Sequence, residues 1–148
     1  IQAYAPAGSG AIRAALIGAG VQGRSHVPVL GHVLPGVDLA VFDRDPVRAA
    51  SLATLATTTE GIGSVSVAAS ARAAVDGADV VVTVASFVPP PERQVMTNAW
   101  LSPHALVVPV DYATYCAAEV ARDADLFLAD HTAQYLANRD DGNVTDGF

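Results

Sequence analysis

Apolar and polar positions along the 148-residue chain come in alternating blocks. Strand-sized apolar runs fall at residues 14–17, 37–42, 64–67, 79–84, 106–110 and 126–129, and alanine-rich stretches of helical length separate them. Strands alternating with helical stretches are the sequence form of repeated βαβ units. The pattern predicts an α/β fold, a doubly wound and mostly parallel sheet of about six strands, in one domain over residues 1–148.

Local signals place the helices. A first helix is expected over residues 21–33, where Pro28 removes an N–H and predicts a kink or an early break. Asp45 can cap a helix and Pro46 suits its first position, so a second helix should run through residue 57. Ser70 can cap a short helix that Gly77 closes, since glycine accepts a left-handed backbone. Further helices are expected at 97–101 and, capped by Asp130, at 132–138. Val80, Val81, Val82 and Val84 are apolar without alternation, which predicts a strand buried on both faces. Pro89, Pro90 and Pro91 force an extended loop after it.

The most informative motif joins the first strand to the first helix. Gly18-Ala19-Gly20-Val21-Gln22-Gly23 matches G-x-G-x-x-G in the strand–turn–helix setting that gives the motif meaning. Gly18 makes the tight turn, Gly20 lets backbone approach a pyrophosphate, and Gly23 lets helix and strand pack closely. The N–H groups of the helix start, at Val21 and Gln22, can then face phosphate oxygens. Asp43 lies 20 residues beyond Gly23, at the end of the second strand, where a carboxylate can accept ribose hydroxyls. That pairing favours NAD over NADP, with Arg44 beside it able to meet a 2′-phosphate. The plainer alternative is a glycine turn that only closes a βα unit, with Asp43 capping a loop.

In doubly wound sheets ligands sit beyond the carboxyl ends of the strands, at the point where strand order reverses. Thr83, Val84, Ala85, Ser86 and Asp111 follow the fourth and fifth strands and are the candidates to stand near a nicotinamide. Asp111 can equally be a helix cap or a solvated loop acid.

Composition narrows the function classes. Fifteen acidic against eight basic residues give a net charge of −7, which opposes nucleic acid and anionic membrane partners. No apolar run approaches the roughly 20 residues of a transmembrane helix. All the basic residues are arginines, so no lysine Schiff base can form here. His26, His32, His104 and His131 show no metal-ligand spacing, and no metal site is expected. Ser25 and Ser86 lack a G-x-S-x-G elbow. The lone Cys116 cannot form an internal disulfide, which fits a reducing cytoplasm. Ile1 is not an initiator methionine, residues 1–6 lack a signal-peptide pattern, and the chain ends at a turn-like Asp146-Gly147-Phe148. Both ends are expected to be cuts in a longer polypeptide.

The sequence resembles the ornithine cyclodeaminase/mu-crystallin family over about residues 13–135. The likeness rests on Gly18-Ala19-Gly20-Val21-Gln22-Gly23 with Arg24-Ser25-His26, on Gly77-Ala78-Asp79-Val80-Val81-Val82-Thr83-Val84, and on Thr97 to Pro103. It implies a Rossmann domain and NAD-dependent hydride transfer at the α-carbon of a small amino acid or imine. It further implies Asp111 as general acid/base, a substrate carboxylate held by an N-terminal domain outside this chain, and homodimerisation through that domain. The chain departs from the family at Pro109-Val110, where two glycines precede the aspartate, and interior-strand proline cannot donate to a ladder. Two other readings stay open: a non-catalytic nucleotide-binding protein of the mu-crystallin kind, and an S-adenosylmethionine-dependent transferase with a related glycine turn.

Overall fold

The computed structural model describes residues 11–111 and 114–141. Five strands form one parallel sheet: β1 (Arg13–Ile17), β2 (Val37–Phe42), β3 (Ile62–Val67), β4 (Val80–Thr83) and β5 (Leu106–Pro109). Their order is β3-β2-β1-β4-β5, so the chain winds outward from β1 in both directions. The switch point lies between β1 and β4, with Ile17 opposite Thr83.

Helices cover both faces. On one, α1 (Val21–Val33) and α2 (Pro46–Thr57) place Val27, Leu30, Leu52 and Ala56 against Ala14, Leu16, Leu39, Val41, Val80 and Val82. On the other, α3 (Ala71–Val75), α4 (Ala118–Arg122) and the segment around Met96 pack on Ala15, Ile17 and Val81. Successive residues of β1 and β4 thus serve opposite cores, and the unbroken valine run of β4 is buried throughout. Each buried leucine or valine contributes about 1.5–3 kcal/mol, and the two layers share one sheet.

The helix starts follow their caps. Asp45 Oδ1 accepts from the Val47 N–H at 2.9 Å, with Pro46 leading α2. Ser70 Oγ accepts from the Ala73 N–H at 3.1 Å, and Gly77 ends the α3 region at φ +68°. No kink-induced break occurs at Pro28: α1 runs on to Val33, and Pro28 lies on its exposed side, where water can hydrate the carbonyl that loses its donor.

Three expectations need correction. Residues 126–129 form no strand, so the described sheet has five members and not six. Leu126 and Leu128 are 71% and 79% exposed, and Phe127 packs edge-on to Tyr135 at 5.6 Å, so the apolar contact of this segment is local. The helix expected at 97–101 is a single 3₁₀ turn, Asn98–Trp100. The last helix, α5 (Thr132–Asp140), is capped by His131, whose Nδ1 accepts from the Gln134 N–H, while Asp130 accepts from the His131 N–H just outside.

Pro109 fits because of parity. Leu106 and Val110 donate their N–H groups to Asp79 and Thr83 of the β4 side, so the odd-numbered Pro109 turns its nitrogen to the outer edge of β5. Among the described residues no helix is long and apolar enough to cross a membrane, and no group of three His, Cys, Asp or Glu could hold a metal ion.

Candidate functional site

The three glycines of the turn do different steric work. Gly18 sits at φ +111°, and a Cβ there would stand 2.7 Å from the Val84 carbonyl oxygen, so the turn lies directly against the end of β4. A Cβ on Gly23 would run into the Gly18 carbonyl oxygen, while Leu52 of α2 would lie in ordinary contact at 3.6 Å. A Cβ on Gly20, by contrast, would meet nothing within 4 Å. Glycine at position 20 is therefore not demanded by packing, and its open side is the space a ligand needs.

That space is a cleft of about 410 Å³. Gly20, Val21 and Gln22 line it from the glycine turn, Val84, Ala85, Ser86 and Phe87 from the segment after β4, and Val110 and Asp111 from the end of β5. Gly20 is the N-cap of α1 and offers no side chain to the first-turn amides. No acidic residue occupies that first turn, and Val21 and Gln22, at the positive end of the helix, line the cleft. Val21 is 85% exposed here, a large apolar side chain left facing outward.

Asp43 is fixed by two backbone donors. Its Oδ2 accepts from the Ala19 N–H at 2.7 Å and its Oδ1 from the Asp45 N–H at 2.8 Å. The end of β2 is thereby tied to the glycine turn, and a carboxylate with about four acceptor sites keeps capacity for further donors. Arg44 does not point into the cleft; its Nη1 lies 3.8 Å from Glu92 Oε2, on the 3₁₀ turn Pro90–Glu92.

Asp111 is the one buried carboxylate among the described residues, 6% exposed. The Thr83 hydroxyl donates to its Oδ1 at 2.9 Å and the Ala85 N–H to its Oδ2 at 2.8 Å. Burial pushes its pKa up to about 6, against the lowering effect of those two hydrogen bonds. A carboxyl group poised near neutrality and lining a cleft can give and take protons at ordinary pH. Thr83 itself is fully buried, its hydroxyl committed to Asp111, so it stands behind the cleft wall. Tyr115 lies near both Asp111 and Arg44: burial raises its phenol pKa, Arg44 lowers it and Asp111 raises it.

The structure therefore brings Gly20, Val21, Gln22, Val84, Ala85, Ser86 and Asp111 to one cleft and links Asp43 to it through Ala19. Gly18 and Gly23 shape the turn from behind. Phe87, 52% exposed on the cleft wall, and Glu92 escape a reading of the sequence.

A parallel sheet of order 3-2-1-4-5 with a glycine turn and an acid-tethered β2 end at its switch point defines a Rossmann-type α/β domain. The chain belongs to the ornithine cyclodeaminase/mu-crystallin family, which it matches over residues 5–144. Among solved structures it is similar to the Δ1-pyrroline-2-carboxylate reductase of Thermococcus litoralis in complex with NADH and L-proline. That likeness has 22% identity and a TM-score of 0.64, covering 77% of this chain and 35% of the reductase. Quinate dehydrogenase from Corynebacterium glutamicum in complex with NAD is similar at 22% identity and a TM-score of 0.56, over 68% of this chain and 36% of its own. A lysine cyclodeaminase, whose structure concerns recognition of L-lysine, L-ornithine and L-2,4-diaminobutyric acid, reaches 31% identity and a TM-score of 0.55, over 65% of this chain and 27% of its own. The chain thus spans about a third of the length of these proteins or less. No curated protein matches it.

Proposed function

We propose that this chain is the nucleotide half of an NAD-dependent enzyme acting on a small amino acid or its imine, with NAD favoured over NADP. The observation that carries the reading is the position of Asp111, a buried carboxyl group lining the same cleft as Gly20, whose own side is open.

The residues fit a dinucleotide. The amide groups at the start of α1 suit a pyrophosphate, Gly20 leaves room for its approach, and Asp43 retains acceptor capacity for ribose hydroxyls. A bound nicotinamide dinucleotide supplies a hydride acceptor or donor for the substrate α-carbon. Asp111 then holds or releases a proton at the substrate amine, and the Thr83 hydroxyl and Ala85 amide fix its two oxygens in place. Val84, Val110 and Phe87 add an apolar lining beside it. The substrate carboxylate falls to residues of another domain, as does assembly into a homodimer, both in keeping with the family.

Two experiments test this. NADH should raise the thermal unfolding midpoint of the chain, since a ligand held only by the folded state stabilises it, and S-adenosylmethionine should not. Stabilisation by S-adenosylmethionine alone would reverse the assignment. In the whole enzyme, Asp111→Asn should leave NADH affinity nearly unchanged while turnover falls by about 10²–10⁴-fold; undiminished turnover removes Asp111 from proton transfer.

A further inference from the structure

Two cations stand where β2 leads into α2, Arg44 on the turn and Arg48 in the first turn of the helix, and both are paired. Arg48 Nε lies 3.4 Å from Asp45 Oδ2, one turn along α2. Arg44 Nη1 lies 3.8 Å from Glu92 Oε2, a residue 48 positions further along the chain and carried by the loop between β4 and β5. The turn thus holds Asp43, Asp45 and, through space, Glu92 against two guanidinium groups, a local excess of negative charge.

The loop that brings Glu92 here is braced rather than trailing. The Glu92 N–H donates to the Pro89 carbonyl at 2.9 Å, Arg93 Nε donates to the Val88 carbonyl at 2.8 Å, and the Arg93 guanidinium sits 5.0 Å from the centre of the Phe87 ring. The Gln94 and Met96 N–H groups donate to Thr114 and Tyr115. Both side chains are more than half exposed, so this is a weak surface pair; the held backbone fixes where Glu92 is presented to Arg44.

We propose that Glu92 is a specificity-determining residue for the cofactor. By pairing with Arg44, it withholds the guanidinium next to Asp43 that a 2′-phosphate would recruit. Asp43 and Glu92 then act together. The first takes hydroxyls and repels phosphate, and the second keeps the neighbouring cation engaged. This rests on the dinucleotide reading given above and adds to it a second, sequence-distant determinant of NAD over NADP.

Affinities for NADH and NADPH, read by fluorescence titration of this chain, test it on the unaltered protein, Glu92→Gln and the double variant Glu92→Gln/Arg44→Gln. Glu92→Gln is expected to tighten NADPH relative to NADH by about two- to fivefold, the scale of releasing one exposed charge pair. The double variant is expected to lose that gain. An NADPH-to-NADH ratio unmoved by Glu92→Gln, or a gain that survives the loss of Arg44, overturns the inference and leaves the dinucleotide reading standing. If the unaltered chain binds neither nucleotide, the reading itself is wrong and the inference falls with it.

Discussion

The Thr83 hydroxyl reaches from the last residue of β4 to Asp111 Oδ1, 2.9 Å away, and so joins the two strand ends that frame the cleft. Both groups are buried, so the bond is made without competition from bulk water. A hydrogen bond donated to a carboxylate favours its charged form. Thr83→Val keeps the shape and removes the donor, and it should raise the Asp111 pKa further above about 6. A carbon-13 titration of the Asp111 carboxyl in both proteins measures this. An unmoved midpoint would show that the contact does not govern the ionisation.

The raised pKa of Asp111 also sets a pH dependence of stability. Between the ordinary value of 3.8 and about 6, the folded state binds more protons at this position than the unfolded chain does. The contribution of Asp111 to stability is therefore full below pH 3.8 and is lost as pH rises to about 6. Asp111→Asn lacks that loss. Its unfolding free energy relative to the unaltered chain should improve by about 2–3 kcal/mol between pH 4 and pH 7, whatever its fixed offset, since each pKa unit is about 1.4 kcal/mol. Urea unfolding at the two pH values gives the difference directly, and a pH-independent difference would contradict the burial argument.

The glycines of the turn should separate folding from binding. Gly23→Ala drives a methyl group into the Gly18 carbonyl oxygen and should cost about 2 kcal/mol or more in stability. Gly20→Ala meets only open space and should cost at most about 1 kcal/mol, an N-cap preference, yet weaken nucleotide binding about tenfold or more. Thermal unfolding and NADH titration on the two variants distinguish them. Equal destabilisation by both would mean that the cleft beside Gly20 is not the open space described.

Much of this was legible in the chain because single residues carried it. The valine run of β4 announced a strand between two cores, Asp45 and Pro46 announced α2, and the glycine spacing announced the turn at the switch point. What escaped depended on contacts between distant segments. Thr83 was placed among the cofactor neighbours because of its position after a strand, and only the fold shows its hydroxyl spent on a residue 28 positions away. Glu92 carries no local signal at all, since its partner lies on another loop. Residues 126–129 have the composition of a strand, but a strand requires a ladder partner, and composition cannot report whether one is offered.

The proline at the end of β5 bears on that last point. On the outward-facing rim of this strand only Val107 can supply an amide hydrogen, because Leu106 donates inward, as does Val110 just past the strand, and Pro109 has none to give. An extended segment arriving alongside would find acceptors but a broken row of donors. Among the described residues the sheet ends at β5, where a single imino acid breaks the outward row of donors while leaving the side facing β4, and with it the approach to Asp111, intact.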